Sequence, residues 1–304
     1  MALQSSGQIK ISEIKAELGS SSNSLRALSA AAGLSVPDAM SEFYGYSSYS
    51  NTHYYSNDGV NDYVSGVWEN YGNLNSFDWS VNFWVRQNQS TKTSQQLWDF
   101  NANTTINSGN SNNRMFIQYV ASSNRIIVRL RTNSTNFDRQ LSLHDNSSVT
   151  GVTNSSTGWT SGQRGNVNSD GFCMITVTYD ASATTGASAF KVYWNGNEMT
   201  TTATSSNGTR SNLGGSRLTL CAATHSTTGG NSNIDIDEWA FYNDILTSAE
   251  ATTLYNSGTI ADASTLHTGN LIEAVRFAAS NSADTYAGIY NTITVSGGST
   301  NTYA

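Results

Sequence analysis

The chain has 304 residues, 37% of them hydrophobic and 11% aromatic, enough for a packed core in one large domain or two ordinary ones. Only 12% are charged, Ser, Thr, Asn and Gly take their place, and the net charge is −7 with a pI near 5.0. That balance excludes a nucleic-acid binder, which needs a basic face for phosphates, and disfavours an anionic lipid surface. No run of about 18 apolar residues is present, so no membrane span is expected. Residues Met1 to Gly7 lack a basic region followed by an apolar one, so no secretory signal is expected either. Two cysteines, Cys173 and Cys221, are too few for a disulfide framework or a four-thiolate metal site. Both read as small buried hydrophobes with no bond between them.

Residues 9–46 read as short helices. Ile9, Ile11, Ile14 and Leu18 form an apolar stripe with Ser12 as N-cap and Gly19 as stop. Ser24 caps a second helix, Leu25 to Ala32, stopped by Gly33. Ser35-Val36-Pro37-Asp38 reads as a capping-box variant that starts a third, carrying Met40 and Phe43. Helices this short are marginal alone and must pack on something. Ile9, Ile11, Ile14, Leu18, Leu25, Leu28, Met40 and Phe43 are the expected buried face, against sister copies or another protein.

From about Tyr49 the period becomes two. Phe77 to Arg86, Arg114 to Val120, Arg125 to Arg131, Phe172 to Tyr179, Arg217 to Ala222, Ile234 to Tyr242 and Asn270 to Ala278 all read as strands. Phe190 to Trp194 and Asn197 to Met199 flank Asn195-Gly196, a strong two-residue hairpin signal because both residues tolerate φ > 0. Cys221 alternates against Leu218, Leu220 and Ala222, away from their face. Thr247-Ser248-Ala249-Glu250 is a capping box for one helical turn that ends at Gly258. Many strands with polar turns and few helices predict an antiparallel sandwich rather than a βαβ fold.

Four segments carry a resemblance. Asn57-Asp58-Gly59-Val60-Asn61-Asp62-Tyr63-Val64, Phe77 to Val85, Phe172 to Asp180 with Phe190 to Met199, and Ile234 to Trp239 continuing through Thr247, Glu250, Leu254 and Tyr255 occur in order. Together they resemble the laminin-G-like, concanavalin A-like lectin/glucanase family. The resemblance implies a mainly β fold, a jelly-roll sandwich of antiparallel strands. Met1 to Gly7, Ile9 and Ser41-Glu42-Phe43-Tyr44-Gly45 resemble the N-terminal module of bacteriophage tail-fibre and appendage proteins. Asn270 to Tyr290 resembles the closing strand and hairpin of phage versions of the sandwich. These two resemblances imply a helical virion-attachment module over residues 1–47 and a sandwich over 48–304. They imply other virion proteins as partners, a homo-oligomer in the particle, display on its exterior, and host-surface glycan as ligand.

The same fold includes glycosidases, whose strand carries acid–x–acid–x–acid so that alternate carboxylates face one cleft. Here Asp235 and Asp237 share a face, Trp239 stands third, and Glu238 points the other way by pleat geometry. No G-x-S-x-G motif or zinc-ligand pair occurs, so no enzyme and no cofactor is expected. Relatives in the fold often hold calcium on loop oxygens. Asp58, Asp62, Asp180, Asp235 and Asp237 are the carboxylates in question, without EF-hand-like spacing, so no ligand set is assigned. Sugar recognition needs exposed aromatic faces beside amides and carboxylates. Trp159, Trp68 with Tyr71, and Trp98 beside Asp99 are the candidates, each also readable as core or rim packing.

Overall fold

The computed structural model describes residues 3–4, 7–18, 20–32, 34, 39–44, 53–68, 73–87, 94–101, 113–120, 123, 125–132, 135–143, 171–210, 217–223, 232–260, 262–267, 269–279, 282–286, 290–296 and 299–302. The chain divides into two units, Met1–Asn51 and Thr52–Ala304. No helix among the described residues is long and apolar enough to cross a membrane.

The first unit holds α1 (Ile11–Leu18), α2 (Leu25–Ala31) and a 3-10 turn, Met40–Phe43. Helix α1 begins one residue ahead of Ser12, so Ser12 lies inside it and is not the cap. The Glu13 carboxylate instead accepts from the Lys10 N–H at 2.8 Å. Ser24 caps α2 as its spacing predicts, its hydroxyl accepting from the Ala27 N–H. The Ser35–Asp38 box lies outside the described residues; Glu42 accepts from the Ala39 N–H at 3.1 Å at the head of the turn. Ile9, Ile14, Leu28 and Phe43 close on one another together with Leu3, and Ile11, Leu18, Leu25 and Met40 pack around them. The apolar face that the sequence assigned to a partner is therefore largely spent within the unit, because the three short elements converge their stripes.

The second unit is mainly β. Its strands are β1 (His53–Ser56), β2 (Tyr63–Trp68), β3 (Trp79–Gln87), β4 (Ser94–Asn101), β5 (Arg114–Val120), β6 (Arg125–Thr132), β7 (Thr135–Ser142) and β8 (Cys173–Tyr179). After a one-turn helix, α3 (Gly186–Ala189), come β9 (Phe190–Trp194), β10 (Asn197–Glu198), β11 (Thr202–Asn207), β12 (Arg217–Leu220) and β13 (Ile234–Tyr242). Helices α4 (Ser248–Tyr255) and α5 (Ala263–Leu266) precede β14 (Leu271–Ala279), β15 (Ser282–Tyr286), β16 (Tyr290–Ser296) and β17 (Ser299–Thr302).

Two antiparallel sheets form the sandwich expected from the sequence. One is ordered β10-β9-β8-β3-β13-β1-β17, with β14 also on β13 and β15 on β14; the other is β11-β7-β6-β5-β4-β12-β2-β16. Alternation explains the layer between them. Met115, Ile117 and Tyr119 of β5, Ile126, Val128 and Leu130 of β6, and Val81, Phe83 and Val85 of β3 all enter one core. Trp79 anchors it, stacked on Tyr179 at 5.3 Å and edge-on to Trp98 at 5.4 Å. A second apolar layer, including Trp84, Met174, Tyr242, Leu246 and Leu254, covers the other side of the nine-stranded sheet. Strand β8 is therefore buried along its whole length.

The local signals mostly land where predicted. Asn195 and Gly196 take φ of 50° and 77° in the β9–β10 turn. Thr247 accepts from the Glu250 N–H, and Glu250 accepts from the Thr247 N–H at 2.7 Å. Both cysteines are free and buried in the inter-sheet core. Cys221 reaches that core against the alternation because its φ of 65° takes it out of the strand.

Candidate functional site

The outward face of the eight-stranded sheet is built from the residues that alternate with its core. Cross-strand register arranges them in three rows over β12, β4, β5, β6 and β7. The first row runs Thr219, Asp99, Phe116, Arg129, Asp138. Beside it run Arg217, Asn101, Arg114, Arg131, Asn136. On the other side run Gln96, Gln118, Ile127 and Gln140. The face is thus a lattice of guanidinium, carboxylate and amide groups, the types that bond saccharide hydroxyls. Asp99, Asn101, Arg114, Phe116 and Asp138 are buried within it, while Gln118, Arg129, Arg131, Asn136 and Gln140 stay partly exposed.

Its electrostatics are organised around Phe116. The Arg114 guanidinium lies 4.1 Å from the ring centroid and that of Arg129 lies 5.7 Å away. Arg114 bonds Asp99 at 2.8 Å, and Arg129 Nε bonds Asp138 at 2.7 Å. Both carboxylates are fully buried, and each has a guanidinium partner, the arrangement a buried acid requires. Gln140 adds a third donor to Asp138 at 3.3 Å. Burial pushes the Arg114 guanidinium below its ordinary value. Asp99 pulls it back, while Arg131 and Arg129 push it further down. Arg131 stands directly opposite Arg114. Its Nε is buried without a hydrogen-bond partner, and no ion pair among the described residues includes it.

Of the predicted sugar platforms, Trp98 is the one whose side chain is among the described residues. Trp98 is wholly buried between the sheets. That corrects its reading as an exposed sugar-stacking ring: a bulge between Gln96 and Trp98 turns both Leu97 and Trp98 into the core. Trp68 ends β2, and its side chain lies outside the described residues, as do Tyr71 and Trp159 altogether.

The acidic strand also differs from its expected pleat. Glu238 has φ of 47°, and the β13–β3 register slips between Asp237 and Ala240. The bulge reverses the alternation, so Trp239 joins the inter-sheet core and does not share a face with Asp235 and Asp237. Asp235 is held by Arg86 Nε at 2.8 Å, and Arg86 also bonds the Tyr54 hydroxyl between the rings of Tyr54 and Phe172. The Asp237 carboxylate accepts from the Glu238 N–H at 2.8 Å, and Glu238 accepts from the Ala263 N–H at 3.0 Å, fixing the start of α5. These acids organise the covered side of the sheet.

The other calcium candidates are engaged locally. Asp58 accepts from the Val60 N–H and Asp62 from the Asp58 N–H. Asp180 is held below the ordinary carboxylate range chiefly by the Ser182 hydroxyl. Among the described residues no group of three or more His, Cys, Asp or Glu side chains converges to hold a metal.

The arginine rows escaped the sequence reading, although a signal was there. Residues 114–139 contain five arginines and one aspartate in a chain of net charge −7. Arg129 and Arg131 sit two apart on the polar side of β6.

No protein-family model matches the chain, and no curated protein matches it. Among solved structures the chain is similar to "NanB plus Optactamide", with 16% identity and a TM-score of 0.40, over 62% of this chain and 27% of that one. It is similar to a heptameric SAP-like pentraxin from Limulus polyphemus, with 10% identity and a TM-score of 0.43, over 81% and 94%. It is similar to the CBM40 of Ruminococcus gnavus IT-sialidase, with 9% identity and a TM-score of 0.41, over 68% and 99%.

Proposed function

We propose that the chain is a glycan-binding protein of a virion, a fibre, appendage or capsid-decoration component, whose sandwich contacts host-surface or environmental polysaccharide. The observation that supports binding is the face of the eight-stranded sheet turned away from the inter-sheet core, where Gln118, Arg129, Arg131, Asn136 and Gln140 remain partly exposed in adjoining rows. Such groups bond sugar hydroxyls from fixed positions on a rigid sheet, so little ordering entropy is lost on contact. The resemblance of Met1 to Gly7 and Ser41 to Gly45 to phage appendage modules supports the virion and the N-terminal unit as anchor. Many copies on one particle would turn weak single-site binding into firm adhesion.

Binding without turnover is the reading we favour. Asp235, Asp237 and Glu238 are each committed to a guanidinium or a backbone amide on the covered side of the other sheet.

The test is a saccharide array probed with the full chain and with Gln118→Ala, which removes a half-buried amide from the third row. Binding by the wild type, weakened several-fold in the variant at unchanged melting temperature, supports the reading. No saccharide bound at any density would leave a purely structural decoration protein. Mass spectrometry of purified particles tests the virion assignment separately, and absence of the chain from them would refute it.

A further inference from the structure

The glycan-binding face has one feature that hydroxyl recognition does not require: an excess of positive charge concentrated at one end of its second row. We propose that this corner is a receptor for a saccharide carboxylate, so that the ligand is an acidic sugar, with Arg131 as the residue that meets the acid group. The proposal rests on the glycan-binding reading and narrows it to a ligand class.

Charge counting comes first. Over β4 to β7, Arg114, Arg129 and Arg131 contribute three positive charges, and Asp99 and Asp138 contribute two negative ones; Arg217 lies on β12, at the other end of the second row. The two aspartates are taken by Arg114 and Arg129, which leaves a net +1 at Arg131. Like charges directly opposite each other across an antiparallel pair destabilise a sheet, and Arg114 and Arg131 are such a pair. A local arrangement that costs stability without a partner in the fold marks a place where a ligand supplies the missing term.

Hydrogen bonding points the same way. Among the described residues the buried Arg131 Nε has no hydrogen-bond partner, nor does the buried Oδ1 of Asn136, its neighbour in register on β7. The Oδ1 of Asn113, the residue before Arg114, is in the same condition. Buried polar atoms in native proteins are nearly always paired, and the Nε of Arg114 and the Oδ1 of Asp138 beside them make no hydrogen bond among the described residues either. Around Arg131 the oxygens are therefore two amide carbonyls and one carboxylate oxygen. A ligand carboxylate accepts from the Arg131 guanidinium, and ring hydroxyls next to it donate to these oxygens. A planar carboxylate fits the guanidinium fork, and its single charge matches the single excess charge of the corner.

The experiment titrates the full chain and Arg131→Gln with three ligands of one length: a hexuronate oligosaccharide, its methyl ester, and an O-sulfated neutral oligosaccharide. The wild type should bind the acid at least tenfold more tightly than the ester, with an affinity that falls as salt rises. Arg131→Gln should lose about tenfold for the acid, lose much less than that for the ester, and melt no lower, since it relieves repulsion. Equal binding of acid and ester, or preference for the sulfated ligand, overturns the carboxylate receptor while leaving glycan binding intact. A clear drop in melting temperature for Arg131→Gln overturns it too, because Arg131 would then be a structural residue. No binding of any of the three refutes the carboxylate receptor, and the saccharide array then decides whether any glycan is bound.

Discussion

Gly186→Ala tests how tightly the edge of the eight-stranded sheet is built. Gly186 opens α3, and its N–H donates to Asn207 of β11 at 2.9 Å. A Cβ at this position would stand 2.1 Å from the Asp138 carbonyl oxygen of β7 and 2.7 Å from that of Ser206 in β11. Those two residues are paired in register, so the new methyl would press into the backbone of two hydrogen-bonded strands. Two effects compete. Alanine in a helix is favoured over glycine by about 0.5–1 kcal/mol. Overpacking costs about 1–3 kcal/mol, and a backbone that cannot swing aside places this case at the top of that range. The clash wins by roughly 2 kcal/mol, which lowers the melting temperature of a domain this size by about 4–8 °C. Thermal and urea melts of the full chain read the effect. Because Asp138 is the partner of Arg129, the same variant should also weaken saccharide binding. An unchanged or raised melting temperature would refute the close approach and the edge packing built on it.

Trp98→Ala should cost about 3–5 kcal/mol, the loss for deleting a buried indole; if urea melts show less than about 1 kcal/mol, the ring is not in the core. Thr247→Ala should cost about 0.5–2 kcal/mol by removing the cap of α4, measured by the same melts. The Glu250 carboxyl is held below its ordinary range mainly by the Thr247 N–H and hydroxyl. Its contribution is therefore present at neutral pH and lost as pH falls through that lowered range, and a pH series should show wild type and variant converging in acid. Burial pushes the Cys173 and Cys221 thiols well up, so neither should react with a thiol reagent in the native protein; stoichiometric labelling without denaturant would contradict their placement.

Much of the fold is legible because its signals are local. The Asn195-Gly196 turn needs only two residues that tolerate positive φ, and the Thr247–Glu250 box closes within four residues. Strands β5, β9 and β13 begin and end where their alternation does. Errors enter where a single residue leaves the regular backbone. Cys221, Glu238 and the Gln96–Trp98 step each insert a kink that composition does not announce; the first brings the Cys221 thiol into the core, and the other two each carry a tryptophan there. For Trp98 this is the difference between a sugar platform and the centre of the core.

The candidate site was hidden for a different reason: no segment of the chain contains it. Asp99 meets Arg114 fifteen residues later, and Arg129 meets Asp138 across a hairpin. A reader of one strand sees only arginines on a polar face, which commonly means a solvated edge. Two-dimensional register is what separates the paired arginines from the unpaired one. Arg114 and Arg129 stand beside buried carboxylates, whereas Arg131 stands between Arg114 and Asn136, with no ion pair and no acceptor at its Nε among the described residues. The exposed aromatics sought from sequence would identify a neutral sugar by its apolar face. The sheet instead places its one well-sited aromatic, Phe116, under guanidinium groups, where it orders cations rather than stacking on a ring. Selectivity on this face should therefore follow ligand charge more than ring shape, and comparing an acid saccharide with its own ester separates those two recognition modes.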